Sequence, residues 1–239
     1  MTVPRLLAHR GATAVAPENT LQAFVAASAV GADGVELDVH RTADSGLVVH
    51  HDAEARGLGV LAERTQAEIR AARPEIPTLD EALEACTGML VNVEVKNLPG
   101  DADYDPAEGV AASVVELLSR RDRRDDVLVS SFNLDTVDRV RELDVTIPTG
   151  FLTLVGMDPV DAVEVAHAHG HGAVNPDVRA LVGEAAAATV ARAHGLGMTV
   201  NVWTVNDEHE MRRLATAGVD AVITDVPDIA RRVLSALTA

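Results

Sequence analysis

Cysteine, aromatic residues and long apolar runs are all scarce in this sequence. Cys86 is the only cysteine, so an intrachain disulfide is impossible and a reducing compartment is expected. No apolar run approaches the ~20 residues that a membrane span requires. Met1 to Leu7 lacks the apolar core and the cleavage site of a secretory signal. We therefore expect a cytoplasmic protein without stable membrane insertion.

Basic residues are also few, because 20 Lys and Arg face 37 Asp and Glu and give a formal net charge of −17. Nucleic acids and anionic membranes reward clustered positive charge, so neither is an expected partner. The same charge repels a small phosphate ligand at long range. Any phosphate site must therefore use a bound cation and a few local basic groups. The oligomeric state is left open.

What the sequence has in quantity is apolar material, at 47% of its 239 residues. This amount can build one large core, and a (β/α)₈ barrel needs roughly 250 residues. We find no low-complexity linker and no repeat. The expected organisation is a single domain over residues 1–239.

Short β-branched or apolar runs alternate with stretches of helical spacing, such as Thr20 to Val30. The eight β-like runs are Leu6 to Ala8, Gly34 to His40, Leu90 to Lys96, Val127 to Phe132, Thr149 to Leu154, Ala173 to Pro176, Thr199 to Val205 and Ala221 to Asp225. This alternation predicts an α/β fold, and eight units favour a (β/α)₈ TIM barrel over an open doubly wound sheet.

An extra extended run, Leu47 to Asp52, follows the second strand after a turn. From Ala53 to Pro77 the pattern weakens, except for a helical patch at Gln66 to Ala72. We interpret these residues as a short excursion above the barrel, a reduced insertion spanning 53–77.

Acidic side chains alternate with apolar ones on two of the predicted strands. Period-two spacing puts Glu36 and Asp38 on one face of the second strand, and Glu94 with Lys96 on one face of the third. The polar faces are expected inside the barrel near its carboxyl end, where barrel enzymes have their active sites. Three carboxylates would then lie close together.

Two like charges about 4 Å apart repel by on the order of 4 kcal/mol at an effective dielectric constant near 20. A hard divalent cation, Ca²⁺ or Mg²⁺, would offset this repulsion, because both ions prefer oxygen ligands. A network of salt bridges with Arg10, Arg41 and Lys96 is the alternative, and both interpretations stay open at this point.

Two histidines occur at predicted strand ends beside these carboxylates. His9 ends the first strand and His51 ends the excursion after the second, although neighbouring His50 is an alternative to His51. Imidazole titrates near neutral pH, so one ring can accept a proton while the other donates one. Arg10 offers a planar two-donor contact to a phosphate, and Lys96 a point charge.

Further predictions concern residues outside the carboxylates, the two histidines and their basic neighbours. Glu18 is a candidate contact to the cation or to Arg10, and Trp203, which shares strand parity with Asn201, is a candidate apolar wall for a substrate. His167, His169 and His171 alternate across a predicted helix-to-strand junction; they are not predicted to bind metal and are expected at the surface. The run Arg120 to Arg124 is expected to be a solvated helix end.

Seven short motifs in order along the chain resemble the glycerophosphodiester phosphodiesterase family. They are His9-Arg10-Gly11, Pro17-Glu18-Asn19-Thr20, Glu36-Leu37-Asp38-Val39, His51-Asp52, Glu94-Val95-Lys96, Val202-Trp203-Thr204-Val205-Asn206 and Thr224-Asp225-x-Pro227. The resemblance implies a (β/α)₈ barrel and a metal-dependent hydrolase that cleaves glycerophosphodiesters to glycerol 3-phosphate and an alcohol.

The resemblance also implies site roles. His9 and His51 would be the general acid and base, and Glu36, Asp38 and Glu94 would ligate one divalent cation. Arg10 and Lys96 would bind the phosphate, with Glu18 supporting the site. Trp203 remains the apolar substrate contact that strand parity predicts. Either a cyclic phosphate intermediate or direct attack by water fits this set of residues.

The sequence departs from the family in the excursion, because 53–77 is short and lacks the strand-like Leu-Asp-Arg-Thr-Thr sequence. The alcohol group is therefore left open. One alternative is a phospholipase in the manner of sphingomyelinase D, which an exposed apolar rim and export would favour; the sequence predicts neither. The other alternative is a non-catalytic barrel that binds phosphodiesters.

Overall fold

The computed structural model describes residues 3–121 and 126–237, and eight parallel strands in it close into a barrel. In chain order the strands are β1 (Arg5–His9), β2 (Gly34–Arg41), β3 (Leu47–Val49), β4 (Glu54–Ala55), β5 (Gly59–Val60), β6 (Leu90–Val95), β7 (Val127–Ser131), β8 (Thr149–Thr153), β9 (Ala173–Pro176), β10 (Thr199–Val202) and β11 (Ala221–Thr224). All except β3, β4 and β5 form the barrel, and β1 closes it by pairing with both β2 and β11. The predicted TIM barrel is confirmed.

Helices connect the barrel strands on the outside. They are α1 (Leu21–Ala29), α2 (Gln66–Ala72), α3 (Leu79–Ala85), α4 (Gly109–Ser119), α5 (Leu134–Leu143), α6 (Pro159–Ala168), α7 (Ala185–Gly195), α8 (Glu208–Ala217) and α9 (Pro227–Ser235). Local sequence explains several starts, since Thr65 and Thr78 form capping boxes with Glu68 and Glu81.

Strand periodicity divides the apolar residues into two cores. Val35, Leu37 and Val39 of β2 are fully buried and belong to the large core between the barrel and its helices. A smaller cluster formed by Leu7, Ala221 and Ile223 lies on the other face of β1 and β11, inside the barrel. The opposite face of β2 is consequently left for polar residues, as the alternation predicts.

The excursion after β2 matches its predicted position. Strand β3 pairs antiparallel with β2, and β4 and β5 form a short hairpin. The helix predicted at Gln66 to Ala72 is α2. A small apolar core holds the excursion together and consists of Val48, Ala55, Leu61, Ile69 and Ile76.

Not every surface expectation is correct. His167 and His169 are exposed, but His171 is buried at 2% exposure, so its expected surface position was wrong. Arg120 follows the end of α4 and is exposed as expected, but Arg121 is half-buried and pairs with Asp80. Residues 122–124 of that run lie outside the described residues. Within residues 3–121 and 126–237, none of the helices combines the length and the apolar character needed to cross a bilayer.

Gly11 shapes the turn from β1 to α1, next to His9 and Arg10. Its φ is +89°, and a Cβ there would lie 2.7 Å from the backbone carbon of Ala23. We expect Gly11→Ala to lower the free energy of unfolding by roughly 2 kcal/mol or more, through left-handed strain and the clash. Denaturant unfolding measures this change.

The matched control for that substitution is Gly195→Ala at the last residue of α7. Nothing lies within 4 Å of the added Cβ, and the φ there is not positive. We expect this variant to be neutral or stabilised by up to about 1 kcal/mol. Equal stability of the two variants would contradict the proposed role of the Gly11 turn.

Candidate active site

The pairing register of β1, β2 and β6 brings the three predicted carboxylates together. Asp38 lies opposite Glu94 and Glu36 lies opposite Asn92, while His9 lies opposite Glu36 on the other side. One oxygen from each of Glu36, Asp38 and Glu94 lies within 4.8 Å of the others, and all three residues are buried. We call these three residues the acidic trio.

Burial and mutual repulsion govern the protonation of the acidic trio. Burial, followed by the charge of Asp38, raises the pKa of Glu36 to about 8 and also raises the pKa of Glu94. Burial acts in the same direction on Asp38, but the charges of Lys96 and Arg10 outweigh it and lower the pKa of that carboxyl. The trio is therefore only partly compensated by protein charges.

The acidic trio fits a hard cation. Oε1 of Glu36 is buried and receives no hydrogen bond from the described part of the chain. An ionised oxygen in that position is costly unless a positive charge faces it. The three candidate ligands are all carboxylates, with neither a thiolate nor an imidazole among them. Mg²⁺ and Ca²⁺ prefer such a set of oxygen ligands.

Two basic side chains contact the trio directly. Nζ of Lys96 lies 3.2 Å from Asp38 Oδ1 and 2.8 Å from Glu94 Oε1. Nε of Arg10 lies 3.2 Å from Asp38 Oδ2, and its Nη1 donates to Glu18 at 3.1 Å. The site thus combines salt bridges with a candidate cation site.

Arg41, the third basic residue of the alternative salt-bridge network, lies away from the acidic trio. Nη2 of Arg41 donates to Ser45 at 2.8 Å, and its Nη1 lies 3.7 Å from Asp105. Arg41 is the last residue of β2, beyond the carboxylates, so its side chain contacts the excursion and the loop before α4. Arg41 is accordingly not placed against the acidic trio.

Strained backbone accompanies these contacts. Arg10 and Asn19 both have a φ of 56°, in the left-handed region that residues with a Cβ rarely adopt. In this conformation Asn19 Nδ2 donates to Asp38 Oδ2 at 2.8 Å. The next residue, Thr20, caps α1. Such strain is typical of functional sites, where surrounding contacts hold it in place.

His9 is held by a carboxylate from the far end of the chain. Its Nδ1 pairs with Asp225 Oδ1 at 2.6 Å, and its Nε2 lies 3.8 Å from Glu36 Oε2. Asn206 donates to the other oxygen of Asp225 at 2.6 Å and fixes its orientation. Burial lowers the pKa of His9, but the bond to Asp225 and the charge of Glu36 outweigh it, so that the pKa is raised.

His51 lies on the excursion side of the site. Its Nδ1 pairs with Asp52 Oδ1 at 2.7 Å. Burial, helped by the charges of Lys96 and Arg10, lowers the pKa of His51 against the opposing charge of Asp38. By contrast, Nδ1 of His50 pairs with the backbone oxygen of Asp52 at 2.8 Å. Of the two neighbours, His51 is the one whose ring interacts with the charge of Asp38 in the acidic trio.

A buried pair supports the backbone of His51. Nε2 of His40 lies 3.2 Å from the carbonyl oxygen of His51, and His40 Nδ1 pairs with Asp103 Oδ2 at 2.5 Å. Both side chains are almost fully buried, at 1% and 3% exposure. The loop between β6 and α4 thereby anchors the segment that carries His51.

A cavity of about 300 Å³ opens beside these groups. His51, Glu94 and Lys96 contribute to its wall together with three apolar residues: Leu98, Phe132 and Leu154. Trp203 packs edge-on against Phe132 with ring centroids 5.3 Å apart, and its indole N–H donates to the Asn175 carbonyl. A larger hollow of about 680 Å³ lies at the amino ends of the strands, remote from the acidic trio.

Four residues of this site received no role from sequence reasoning. Asp225 and Asn206 occur in the motifs quoted above, but nothing local indicates that they pair with His9. His40 shares its strand parity with Asp38, and Asp103 lies in a loop with several acidic residues. Only the closed barrel shows which of these side chains contact the histidines.

Comparisons with known proteins identify the family of this chain. The sequence profile of the glycerophosphoryl diester phosphodiesterase family matches residues 9–229. A glycerophosphodiester phosphodiesterase of Caldanaerobacter subterraneus subsp. tengcongensis is 31% identical over 93% of this chain and 94% of its own length. One from Bacillus subtilis is 30% identical over 95% of this chain and 85% of its own length.

Solved structures give the same result for the fold. A glycerophosphodiester phosphodiesterase from Thermotoga maritima superposes with a TM-score of 0.82 at 28% identity, covering 97% of this chain and 99% of the other. An Oleispira antarctica phosphodiesterase, solved with the product sn-glycerol-3-phosphate, has a TM-score of 0.83 at 27% identity, covering 98% and 97%. The chain belongs to the glycerophosphoryl diester phosphodiesterase family.

Proposed function

We propose that this enzyme uses one divalent cation and two histidines to cleave glycerophosphodiesters to glycerol 3-phosphate and an alcohol. The observation that supports this most directly is the buried acidic trio, with Lys96, Arg10 and two imidazoles beside it at the carboxyl ends of the barrel strands. The Oleispira antarctica neighbour was solved with the same product, which supports glycerol 3-phosphate as the product here.

The cation would be Ca²⁺ or Mg²⁺, held by Glu36, Asp38 and Glu94. When bound, such an ion neutralises phosphate charge and makes a contacting hydroxyl more acidic. Arg10 and Lys96 would hold phosphate oxygens, with Glu18 orienting Arg10 through their 3.1 Å contact. These two basic groups also offset the repulsion that a chain of net charge −17 exerts on a phosphodiester.

Proton transfer is assigned to His9 and His51. One imidazole takes the proton of the attacking hydroxyl, and the other donates a proton to the leaving alcohol oxygen. The attacking group is either water or the glycerol hydroxyl next to the ester; attack by the hydroxyl gives a cyclic phosphate, which water then opens to glycerol 3-phosphate. Asp225 keeps the His9 ring in place, and the pair His40 and Asp103 supports the backbone of His51.

Phe132, backed by Trp203, and Leu154 would form the apolar side of the substrate cavity. We propose that residues 1–239 act as one catalytic domain, with 53–77 as its shortened insertion. A cytoplasmic location stays a prediction from the sequence.

Removing either imidazole tests the acid and base assignment. We expect His9→Ala and His51→Ala each to lower kcat by roughly 10²- to 10⁴-fold on glycerophosphocholine, because a proton-transfer group is lost. Released glycerol 3-phosphate measures the rate. His50→Ala is the matched control and should keep near wild-type activity. A loss of activity in His50→Ala as large as that in His51→Ala would contradict the assignment of proton transfer to His51.

Removing one carboxylate tests the cation site. Glu94→Gln should lower the affinity for Mg²⁺ or Ca²⁺ by roughly 10-fold or more, and the activity by a similar factor, since one oxygen ligand loses its charge. Asp177→Asn is the control, because this buried carboxylate bonds to Arg179 instead. Thorough chelation should abolish wild-type turnover, and added MgCl₂ or CaCl₂ should restore it. Unchanged turnover after chelation would exclude the cation.

One observation favours a second candidate function, hydrolysis of lysophospholipids in the manner of sphingomyelinase D-like barrels. The sequence predicts no exposed apolar rim, yet the structure has apolar residues on four loops that follow barrel strands. They are Val15, Leu98, Leu154, Val155 and Val182, with exposures from 37% to 69%. Leu98 and Leu154 also line the cavity, so a hydrocarbon chain would leave the site over apolar surface.

Paired substrates separate the two candidates. If the rim binds an acyl chain, Val155→Ser combined with Val182→Ser should lower kcat/KM for a short-chain lysophosphatidylcholine by about 10-fold or more, through lost apolar contact. Its kcat/KM for glycerophosphocholine should be unchanged. Leu143→Ser, at an exposed apolar residue that ends α5, is the control. No hydrolysis of lysophosphatidylcholine by the wild type would exclude the second candidate.

A further inference from the structure

A second cluster of metal-ligating side chains lies at the end of the barrel opposite the acidic trio. Asp138 is on α5, His169 follows the end of α6, and His171 precedes β9. One ligand atom from each of these three residues lies within 4.8 Å of the others. We call them the basal cluster, because His171 pairs with Thr149 at the amino end of β8.

His171 is the residue that indicates a ligand. Its side chain has 0% exposure, and its Nδ1 pairs with the Thr149 hydroxyl at 2.9 Å. Its Nε2 is buried and makes no well-aligned hydrogen bond with any group in residues 3–121 and 126–237, although Asp138 Oδ1 is 3.1 Å away. If Nδ1 carries the ring proton and donates it to Thr149, the lone pair of Nε2 faces a carboxylate oxygen. A cation between the two atoms would satisfy both.

The separation of these two atoms fits shared coordination. Two ligand atoms at about 2.1 Å from one metal, with an angle between 90° and 110°, are ~3.0–3.4 Å apart. Metal-bound histidines also commonly bond through the other ring nitrogen to a protein group, as Nδ1 of His171 does with Thr149.

His169 completes the set from the solvent side. Its Nδ1 lies 2.7 Å from the second oxygen of Asp138, and its side chain is 40% exposed, which gives an ion access. The rings of His169 and His171 are stacked at 6.2 Å with an angle of 18°. Gly170 between them has a φ of +81°, and this turn lets both rings face Asp138.

We propose that Asp138, His169 and His171 bind a transition-metal cation of the Zn²⁺ class, independently of the catalytic cation. Two imidazoles and one carboxylate suit Zn²⁺, whereas the oxygen-only acidic trio suits Mg²⁺ or Ca²⁺. Arg141 packs at Gly170, where a Cβ would lie 2.8 Å from its Nε. Its positive charge opposes cation binding, so the carboxylate of Asp138 is essential to the site.

A metal in this position would join α5 to the turn between α6 and β9. These segments are 31 residues apart, from Asp138 to His169, and Thr149 adds the start of β8. The effect would be a gain in stability without a change in catalysis, because the basal cluster lies at the opposite ends of the strands from the acidic trio. Zn²⁺ binding should therefore raise the thermal midpoint.

The test measures Zn²⁺ stoichiometry and the thermal midpoint of the full chain in excess Mg²⁺. The control is His167→Ala, because His167 is exposed and lies two residues from His169. Wild type and this control should each bind one more Zn²⁺ per chain than His169→Ala. With Zn²⁺ at about 100 times its Kd, the midpoint of the first two should rise by roughly 5 °C or more. Glycerophosphodiester turnover in Mg²⁺ should be equal in all three.

Two more variants keep the test decisive. Asp138→Asn, which preserves size, should lose the extra Zn²⁺ as His169→Ala does. Glu94→Gln should retain it while losing activity, so failure of the catalytic proposal leaves this one testable. Equal Zn²⁺ stoichiometry and equal midpoint shifts in His169→Ala and His167→Ala would overturn the proposal and leave the basal cluster as a hydrogen-bonded network.

Discussion

The mutual repulsion of Glu36, Asp38 and Glu94 inside the barrel is the constraint on which the site depends. Their oxygens lie within 4.8 Å of one another in a buried place, where like charges repel by several kcal/mol per pair. Lys96 and Arg10 contact the trio but do not bring Glu36 to its ordinary pKa. The remaining negative potential would attract a divalent ion, and a bound ion would in turn make the site attractive to a phosphodiester.

The same charges give the two histidines different environments. His9 is paired with Asp225, which outweighs burial and raises the pKa of the ring. At His51, burial acts with the charges of Lys96 and Arg10 to lower the pKa, and together they outweigh the charge of Asp38. The two rings thus differ in proton affinity because different charged groups surround them, which suits the proposed acid and base pair.

The barrel presents different chemistry at its two ends. At the carboxyl ends, loops supply His51, the arginine beside the trio and an exposed apolar rim around the cavity. At the amino ends, α5 and the turn after α6 bring Asp138 and two histidines together around the start of β8. Because strands and helices fix both ends rigidly, a contact that stabilises the amino end need not disturb the chemistry at the carboxyl end.

The order of amino acids was enough to predict the architecture and the two faces of each strand, because an alternation of period two or 3.6 is a local property. It placed Glu36, Asp38 and Glu94 inside and predicted α2 within its own residues. The folded chain alone shows that Asp225 holds His9, 216 residues away, and that Arg41 contacts Asp105 instead of the acidic trio. It also shows His171 buried beside Asp138. Such pairs depend on strand register and barrel closure, which no local pattern encodes.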